Sequence, residues 1–204
     1  MPRATEPQRI LPMEEPGKSG PKKGTLAAIV GTIAAGILFT QTPHEESGRK
    51  VAVSIANDGT ATVKHVAGRQ YLDAYLDIAG IPTACDGITK GVRMGQRYTE
   101  AQCTALLEAE LVKHAQGVMA CSSGLRAPGR DYQRAASVML AYNIGVAGFC
   151  GSTARKRFDA GDLRGGCDAF LSWNKARVGG VLRPVQGLTS RRQRERALCM
   201  KGLA

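Results

Sequence analysis

The six cysteines of this chain are its residues with the most direct covalent chemistry. They lie between residues 85 and 199, at Cys85, Cys103, Cys121, Cys150, Cys167 and Cys199. No two form a Cys-x-x-Cys motif and none pairs with a histidine at zinc spacing, so we expect no metal site and no cofactor. An even number within one compact domain predicts up to three disulfides made in an oxidising compartment, with their pairing left open. Buried free thiols in a cytosolic protein are the alternative.

The chain is strongly basic, and its charge limits the choice of partner. Its 204 residues include 28 Lys+Arg and 17 Asp+Glu, a net charge of +11, and 43% are hydrophobic. These values are typical of one globular domain with extensions rather than a disordered or multi-span chain, and we expect the chain to be a monomer. The charge indicates a polyanionic partner: nucleic acid, anionic lipid or the bacterial envelope. Nucleic acid is disfavoured because the charge is dispersed and the few aromatic residues show no stacking pattern.

The N-terminal region contains a candidate membrane segment. Residues 1–24 are rich in Pro and Lys and predict a flexible cytoplasmic tail, whereas residues 25–40 carry no charge. A helix of that length covers about 24 Å of a hydrocarbon core about 30 Å thick. We therefore predict an uncleaved signal-anchor helix over residues 25–42, then a linker over 43–49 and a domain over 50–204. A cleaved signal peptide and a buried core helix are the alternatives.

Basic residues before the apolar segment indicate its orientation in the inner membrane. Lys22 and Lys23 place the tail in the cytoplasm and the domain in the periplasm, where disulfides form. The segment is rich in Gly, Ala and Thr, so its insertion free energy is small and the helix could leave the bilayer.

The remaining sequence predicts an α+β domain, with strands before helices. Residues 50–55 and 60–66 alternate around an Asn-Asp-Gly turn, which predicts a β-hairpin. Thr99 to Gln102 form a capping box for a helix that reaches about residue 117. Asp131 is a candidate cap for an apolar central helix. Further helices are predicted near 152–160 and 164–175, and a second capping box, Ser190 to Gln193, predicts a final helix to about residue 199.

Several motifs in order carry a resemblance to a known family. They are residues 71–87 (YLDAYLDIAGIPTACDG), Ala141 to Gly145, Ser152-Thr153, Trp173, and Gly187-Leu188 through Arg191-Arg192 to Glu195. Over about residues 66–200 the chain resembles the phage-type lysozymes of glycoside hydrolase family 24. The resemblance implies a lysozyme-like fold, with a small β lobe near residues 50–97 and a larger helical lobe. It also implies cleavage of the β-1,4 bond between N-acetylmuramic acid and N-acetylglucosamine in peptidoglycan.

The resemblance also implies the site residues. The family uses a Glu, an Asp nine residues later and a Thr six residues beyond that. Asp77 and Thr83 match the last two and are the predicted catalytic residues, but the acid position falls on Gly68. A Gly68→Glu variant would restore an acid there, and His65 and Asp73 are the nearest titratable alternatives.

Three further residues are candidates for substrate binding. Asn143 is expected to hydrogen-bond within the cleft or to touch the sugar. Arg191 and Arg192 stand where relatives hold a partner of the catalytic Glu, and without it they point to solvent or contact substrate.

Two functions follow from these observations. The first is a signal-anchor-release endolysin of a phage or prophage, which hydrolyses peptidoglycan after its N-terminal helix leaves the inner membrane and refolds against the domain. Permanent anchoring is the alternative for the helix. The second function, favoured by Gly68, is a non-catalytic wall-binding or lysis-regulating protein on the same scaffold.

Overall fold

A computed structural model describes residues 20–77 and 79–203, so residues 1–19 of the predicted tail lie outside the described part of the chain. The elements of the first half are α1 (Leu26–Val30), α2 (Thr32–Ser47), β1 (Lys50–Ile55), β2 (Ala61–Ala67), β3 (Tyr75–Leu76), β4 (Pro82–Thr83) and α3 (Glu100–Cys121). Those of the second half are α4 (Asp131–Ile144), α5 (Val146–Gly151), α6 (Thr153–Asp159), α7 (Leu163–Asp168), β5 (Lys175–Val178), β6 (Val181–Pro184) and α8 (Gln186–Cys199). The architecture is α+β, with the strands in antiparallel pairs β1–β2, β3–β4 and β5–β6.

The segment predicted to be a membrane helix is packed into the domain. It forms α1 and α2, which are separated at Gly31, a glycine with φ +90°. Leu26, Leu38 and Phe39 are fully buried in the main core with residues of α3 and α4. Among the described residues, no helix is long and apolar enough to cross a bilayer. The buried core helix, weighed above as an alternative, is therefore the arrangement in this structure.

The predicted linker over residues 43–49 is largely helical. Helix α2 continues through Pro43 to Ser47 and ends at Gly48, which adopts the left-handed conformation of a common C-cap. The physical reason is that α2 packs against both α4 and β1, so its last turns are stabilised by tertiary contacts.

The small lobe contains the predicted β-hairpin, which is confirmed with β1 and β2 joined across residues 56–60. Its turn lies against the chain preceding α1, where Lys22 Nζ is 2.8 Å from Asp58 Oδ2. A second, smaller core lies between the β3–β4 region and the first turns of α3, and contains Ala84, Cys85, Ile88, Val92 and Cys103.

The helical lobe is built around α4, as predicted, and α3 begins at the predicted capping box. Two predicted caps are wrong. Asp131 is the first residue of α4 and bonds to Arg134 rather than to the helix backbone. Ser190 lies inside α8, which begins at Gln186 because the preceding hairpin β5–β6 ends at Pro184.

The six cysteines form three disulfides, which confirms the predicted number. Cys85–Cys103 connects the small lobe to α3, Cys121–Cys150 connects α3 to α5, and Cys167–Cys199 connects α7 to α8. Each links segments that are 18 to 32 residues apart in sequence.

Candidate active site

A carboxylate that the spacing rule did not identify lies at the C-terminal end of α2. Glu46 Oε1 accepts a hydrogen bond from Arg191 Nη2 at 2.7 Å, and its side chain is 21% exposed. Its Oε2 faces Gly87, where a Cβ atom would lie only 3.7 Å away. Glu46 is therefore a partly exposed carboxylate that is fixed by one buried cation and has backbone opposite it.

Gly68, the position given by the spacing rule, has no room for a side chain. Its φ is +88°, and a Cβ atom there would lie 2.7 Å from the backbone oxygen of Gly48. After Gly48 the chain forms the hairpin β1–β2, and at Gly68 it comes back beside the backbone of Gly48. Counting backwards along the chain therefore ends at Gly68, whereas the helix end that bears Glu46 is adjacent in space.

Asp77 and Thr83 lie on the small hairpin formed by β3 and β4. Asp77 Oδ1 accepts hydrogen bonds from the backbone N–H groups of Ala79 and Ile81, each at 2.8 Å. The Thr83 hydroxyl is buried and donates to the backbone oxygen of Ile81 at 3.0 Å. The two predicted catalytic side chains thus converge on the same backbone residue, and the two amides fix the orientation of the carboxylate.

The two predicted substrate-binding arginines are buried. Arg191 donates from Nε to Glu195 Oε1 at 3.1 Å as well as to Glu46, and Arg192 donates from Nη2 to Glu195 Oε1 at 2.7 Å. Since Arg192 has no exposed surface, its predicted contact with substrate is wrong. The charges alternate from Glu46 through Arg191 and Glu195 to Arg192, which keeps the buried cations paired.

Among these four charged residues, Glu195 has a strongly shifted carboxyl pKa. Burial raises the pKa of its carboxyl to about 7, against the opposing effect of Arg192 and Arg191. The Arg-Arg-x-x-Glu motif is the sequence signal for the pairing of Glu195 with Arg191 and Arg192, because residues three and four apart lie on one face of a helix.

A groove of about 290 Å³ begins at Gly87, the residue that faces Glu46. It is lined by Gly87, Ile88, Thr89, Lys90, Glu110, Lys113, His114 and Tyr142. Burial, together with the charges of Glu46 and Glu110, raises the pKa of the Tyr142 hydroxyl, which is therefore a neutral wall of the groove. Asn143 follows on α4 with an exposed side chain, which is compatible with its predicted place in the cleft.

The other candidate acids and a larger groove lie elsewhere. Asp73 forms a surface ion pair with Arg97 at 3.6 Å. His65 lies in β2, where its backbone N–H bonds to Glu100. A second groove, of about 410 Å³, lies on the helical lobe beside Ser152 and Trp173.

Comparisons with known proteins agree with this architecture. A family model described as phage lysozyme matches residues 65–195, a range that begins after Glu46. The chain is 33% identical over 148 residues to the SAR-endolysin of Pseudomonas phage phiKMV, covering 70% of this chain and 90% of that protein. It is 36% identical over 152 residues to the endolysin of Salmonella phage P22, covering 72% and 97%.

A solved structure, the endolysin from Escherichia coli O157:H7 phage FAHEc1, is also similar. Its TM-score is 0.60 at 33% identity, with 65% of this chain and 85% of that chain covered.

Proposed function

The chain belongs to the phage lysozyme family, and we propose that Glu46 is the general acid with which it hydrolyses the β-1,4 glycosidic bond of peptidoglycan. The chain is an endolysin-like muramidase that acts in host lysis. The observation that carries the assignment of the acid is the Glu46–Arg191 pair beside the groove, at the place where the returning hairpin leaves no room for a side chain on Gly68.

The reaction requires a proton for the leaving oxygen and support for positive charge on the sugar. In this mechanism Glu46 donates the proton as the glycosidic C–O bond breaks, and Asp77 stabilises the oxocarbenium-like transition state and orients a water molecule. Thr83 fixes the same hairpin through its hydrogen bond to Ile81. The water adds to the anomeric carbon from the face opposite Glu46 and gives its proton to the Asp77 carboxylate, and both carboxyl groups then return to their starting protonation states by proton exchange with solvent. Arg191 holds the Glu46 carboxyl, while Asn143 contacts the glycan at the cleft.

A substitution of Glu46 tests this assignment. In the purified full chain, Glu46→Gln is expected to lower hydrolysis of peptidoglycan by about 10²–10⁴-fold, the contribution typical of a general acid. Glu45→Gln is the matched control, because the neighbouring carboxylate pairs with Arg194 instead. A Glu46→Gln variant with parental activity would overturn the assignment. A parent chain that binds the wall without hydrolysing it would favour the non-catalytic alternative.

We further propose that residues 25–42 act as a signal anchor that is released. Support comes from the uncharged run over residues 25–40 and from relatives named SAR-endolysins. Phe39 and Glu46 lie on the same helix, about 10 Å apart along its axis. A membrane position for this helix would therefore remove Glu46 from Arg191, so the tethered enzyme would be inactive.

A substitution of Ile33 distinguishes the membrane-bound state from the packed state. Its side chain is 61% exposed in the packed domain, although a bilayer would bury it. Ile33→Arg is expected to disfavour membrane insertion by about 2.5–3.5 kcal/mol and to leave the purified enzyme active. Cell fractionation should then show less chain in the membrane than for Ile33→Leu. Equal membrane fractions for the two variants would contradict the anchor.

A further inference from the structure

Arg49, three residues after Glu46, forms a buried ion pair with Asp86. Arg49 and Asp86 both have side chains that are only 2% exposed. Arg49 donates from Nε to Asp86 Oδ1 at 3.1 Å and from Nη2 to Asp86 Oδ2 at 2.6 Å. This two-point geometry fixes both the distance and the relative orientation of the two side chains.

Additional hydrogen bonds extend the pair to the end of α2 and to α3. Ser47 Oγ donates to Asp86 Oδ1 at 3.0 Å, and Arg49 Nη1 lies 3.4 Å from Glu100 Oε1. Glu100 also accepts a hydrogen bond from Gln70. The carboxylate of Asp86 is thus bound by two residues of the segment that carries Glu46.

The pair connects the two sides of the candidate active site. On one side, Ser47 is the residue after Glu46, and Arg49 lies two residues beyond Ser47. On the other, Asp86 lies three residues after Thr83 and immediately before Gly87, which faces Glu46. The Cys85–Cys103 disulfide attaches the same loop to α3. Any change in the Arg49–Asp86 distance would therefore move the acid relative to Thr83.

We propose that Arg49 and Asp86 are a positioning pair that holds Glu46 in register with the Thr83 loop for catalysis, an inference that rests on the proposed function. A buried ion pair contributes little net stability compared with packed apolar residues, so stability alone does not account for one at this place. Catalysis does, because small displacements of reacting groups cost large factors in rate.

Conservative variants of the pair test the inference in the full chain. Asp86→Asn keeps the shape of the side chain and removes its charge. Arg49→Lys keeps the charge and removes the planar guanidinium that makes the two-point contact. Relative to the parent, we expect kcat to fall by about 10–100-fold in Asp86→Asn and by about 5–10-fold in Arg49→Lys, with KM changed less than about twofold. Rates are measured on soluble glycan strands at a temperature where each variant is folded by circular dichroism.

A similar network elsewhere provides the matched control. In the helical lobe, Asp159 accepts hydrogen bonds from Arg155 at 3.0 Å and from Ser122 at 2.7 Å, the same combination of an arginine, a serine and an aspartate. Asp159→Asn and Arg155→Lys are expected to lower the unfolding temperature and to keep the parental kcat in the folded protein.

Including Glu46→Gln separates failure of the inference from failure of the proposed function. If Glu46→Gln hydrolyses at the parental rate, the assignment of the acid is wrong. If Glu46→Gln is inactive but folded Asp86→Asn has the parental kcat, the pair has only a structural role and the inference is overturned. Should Asp86→Asn not fold, Arg49→Lys carries the test, and a parental kcat in that folded variant overturns the inference.

Discussion

Gly68 adopts a positive φ and lies so close to Gly48 that a Cβ atom would clash with backbone. We therefore expect Gly68→Glu to destabilise the fold by more than about 2 kcal/mol and not to increase activity. Gly80→Ala is the control, because Gly80 also has a positive φ (+74°) but open space at its Cβ, so only about 1 kcal/mol is expected. Urea unfolding and hydrolysis assays measure both effects. A Gly68→Glu variant that is as stable as Gly80→Ala would contradict this account.

The Glu195 carboxyl should make stability depend on pH. Its pKa is raised from 4.5 to about 7 by burial, so folding favours the protonated form. Its contribution to stability is therefore complete below about pH 4.5 and is lost as the pH rises through about 7. We expect the free energy of unfolding of the parent, relative to Glu195→Gln, to fall by about 1–3 kcal/mol between pH 4.5 and 8. Urea unfolding of both chains at these pH values tests the sign, and a parallel pH dependence would refute it.

Helix α2 derives its stability from one buried face. Leu38 is fully buried in the main core, whereas Ile33 on the same helix is largely exposed. We expect Leu38→Ala to reduce the free energy of unfolding by about 2–5 kcal/mol, because it leaves a cavity and removes apolar contact. Ile33→Ala should change it by less than about 0.5 kcal/mol. Urea unfolding distinguishes the two, and equal effects would mean that α2 is not packed as described.

Elements with complete local signals could be predicted from the sequence. The hairpin β1–β2 has alternating strands and an Asn-Asp-Gly turn, and α3 has both side chains of its capping box in place. The hairpin β5–β6 was missed although Gly179-Gly180 is a turn signal, and this error displaced the predicted start of α8. The N-terminal segment was ambiguous because an uncharged helix of this length suits a core as well as a thin membrane span.

The proposed acid, Glu46, could not be located from the family spacing, because spacing counts residues along the chain whereas catalysis requires proximity in space. The 50–67 hairpin is inserted between the helix end and the Asp77 segment, so Glu46 lies 31 residues before Asp77 in sequence. Asp77 and Thr83 stay predictions as catalytic residues, and the spacing that the resemblance implies for them is kept because no insertion separates them within the β3–β4 hairpin. The burial of Arg191 and Arg192 could not be predicted from the sequence either, since basic residues on a polar helix usually face solvent.

At the scale of the molecule, α2 connects the two lobes. It packs on α4 in the helical lobe and on β1 in the small lobe, and its last turn carries Glu46. The site therefore depends on three separate attachments: the core face of α2, the Arg191 cation from α8 and the loop that carries Asp86. With Glu46 as the proposed acid, assembly of the candidate active site consequently requires the N-terminal segment to pack in the domain.

The small lobe should depend more on its disulfide than the helical lobe does on Cys121–Cys150. Its core is small, and Cys85–Cys103 is itself part of that core. Closing a loop of this length stabilises a protein by about 3 kcal/mol. We expect the double variant Cys85→Ser, Cys103→Ser to speed amide hydrogen exchange over residues 71–98 and to lose activity on warming before the helices unfold. The matched variant Cys121→Ser, Cys150→Ser should speed exchange in α3 and α5 instead, because that bond lies wholly within the helical lobe. If both variants lost protection uniformly along the chain, the two lobes would unfold as a single unit and the disulfide would not be specific to the Thr83 side of the site.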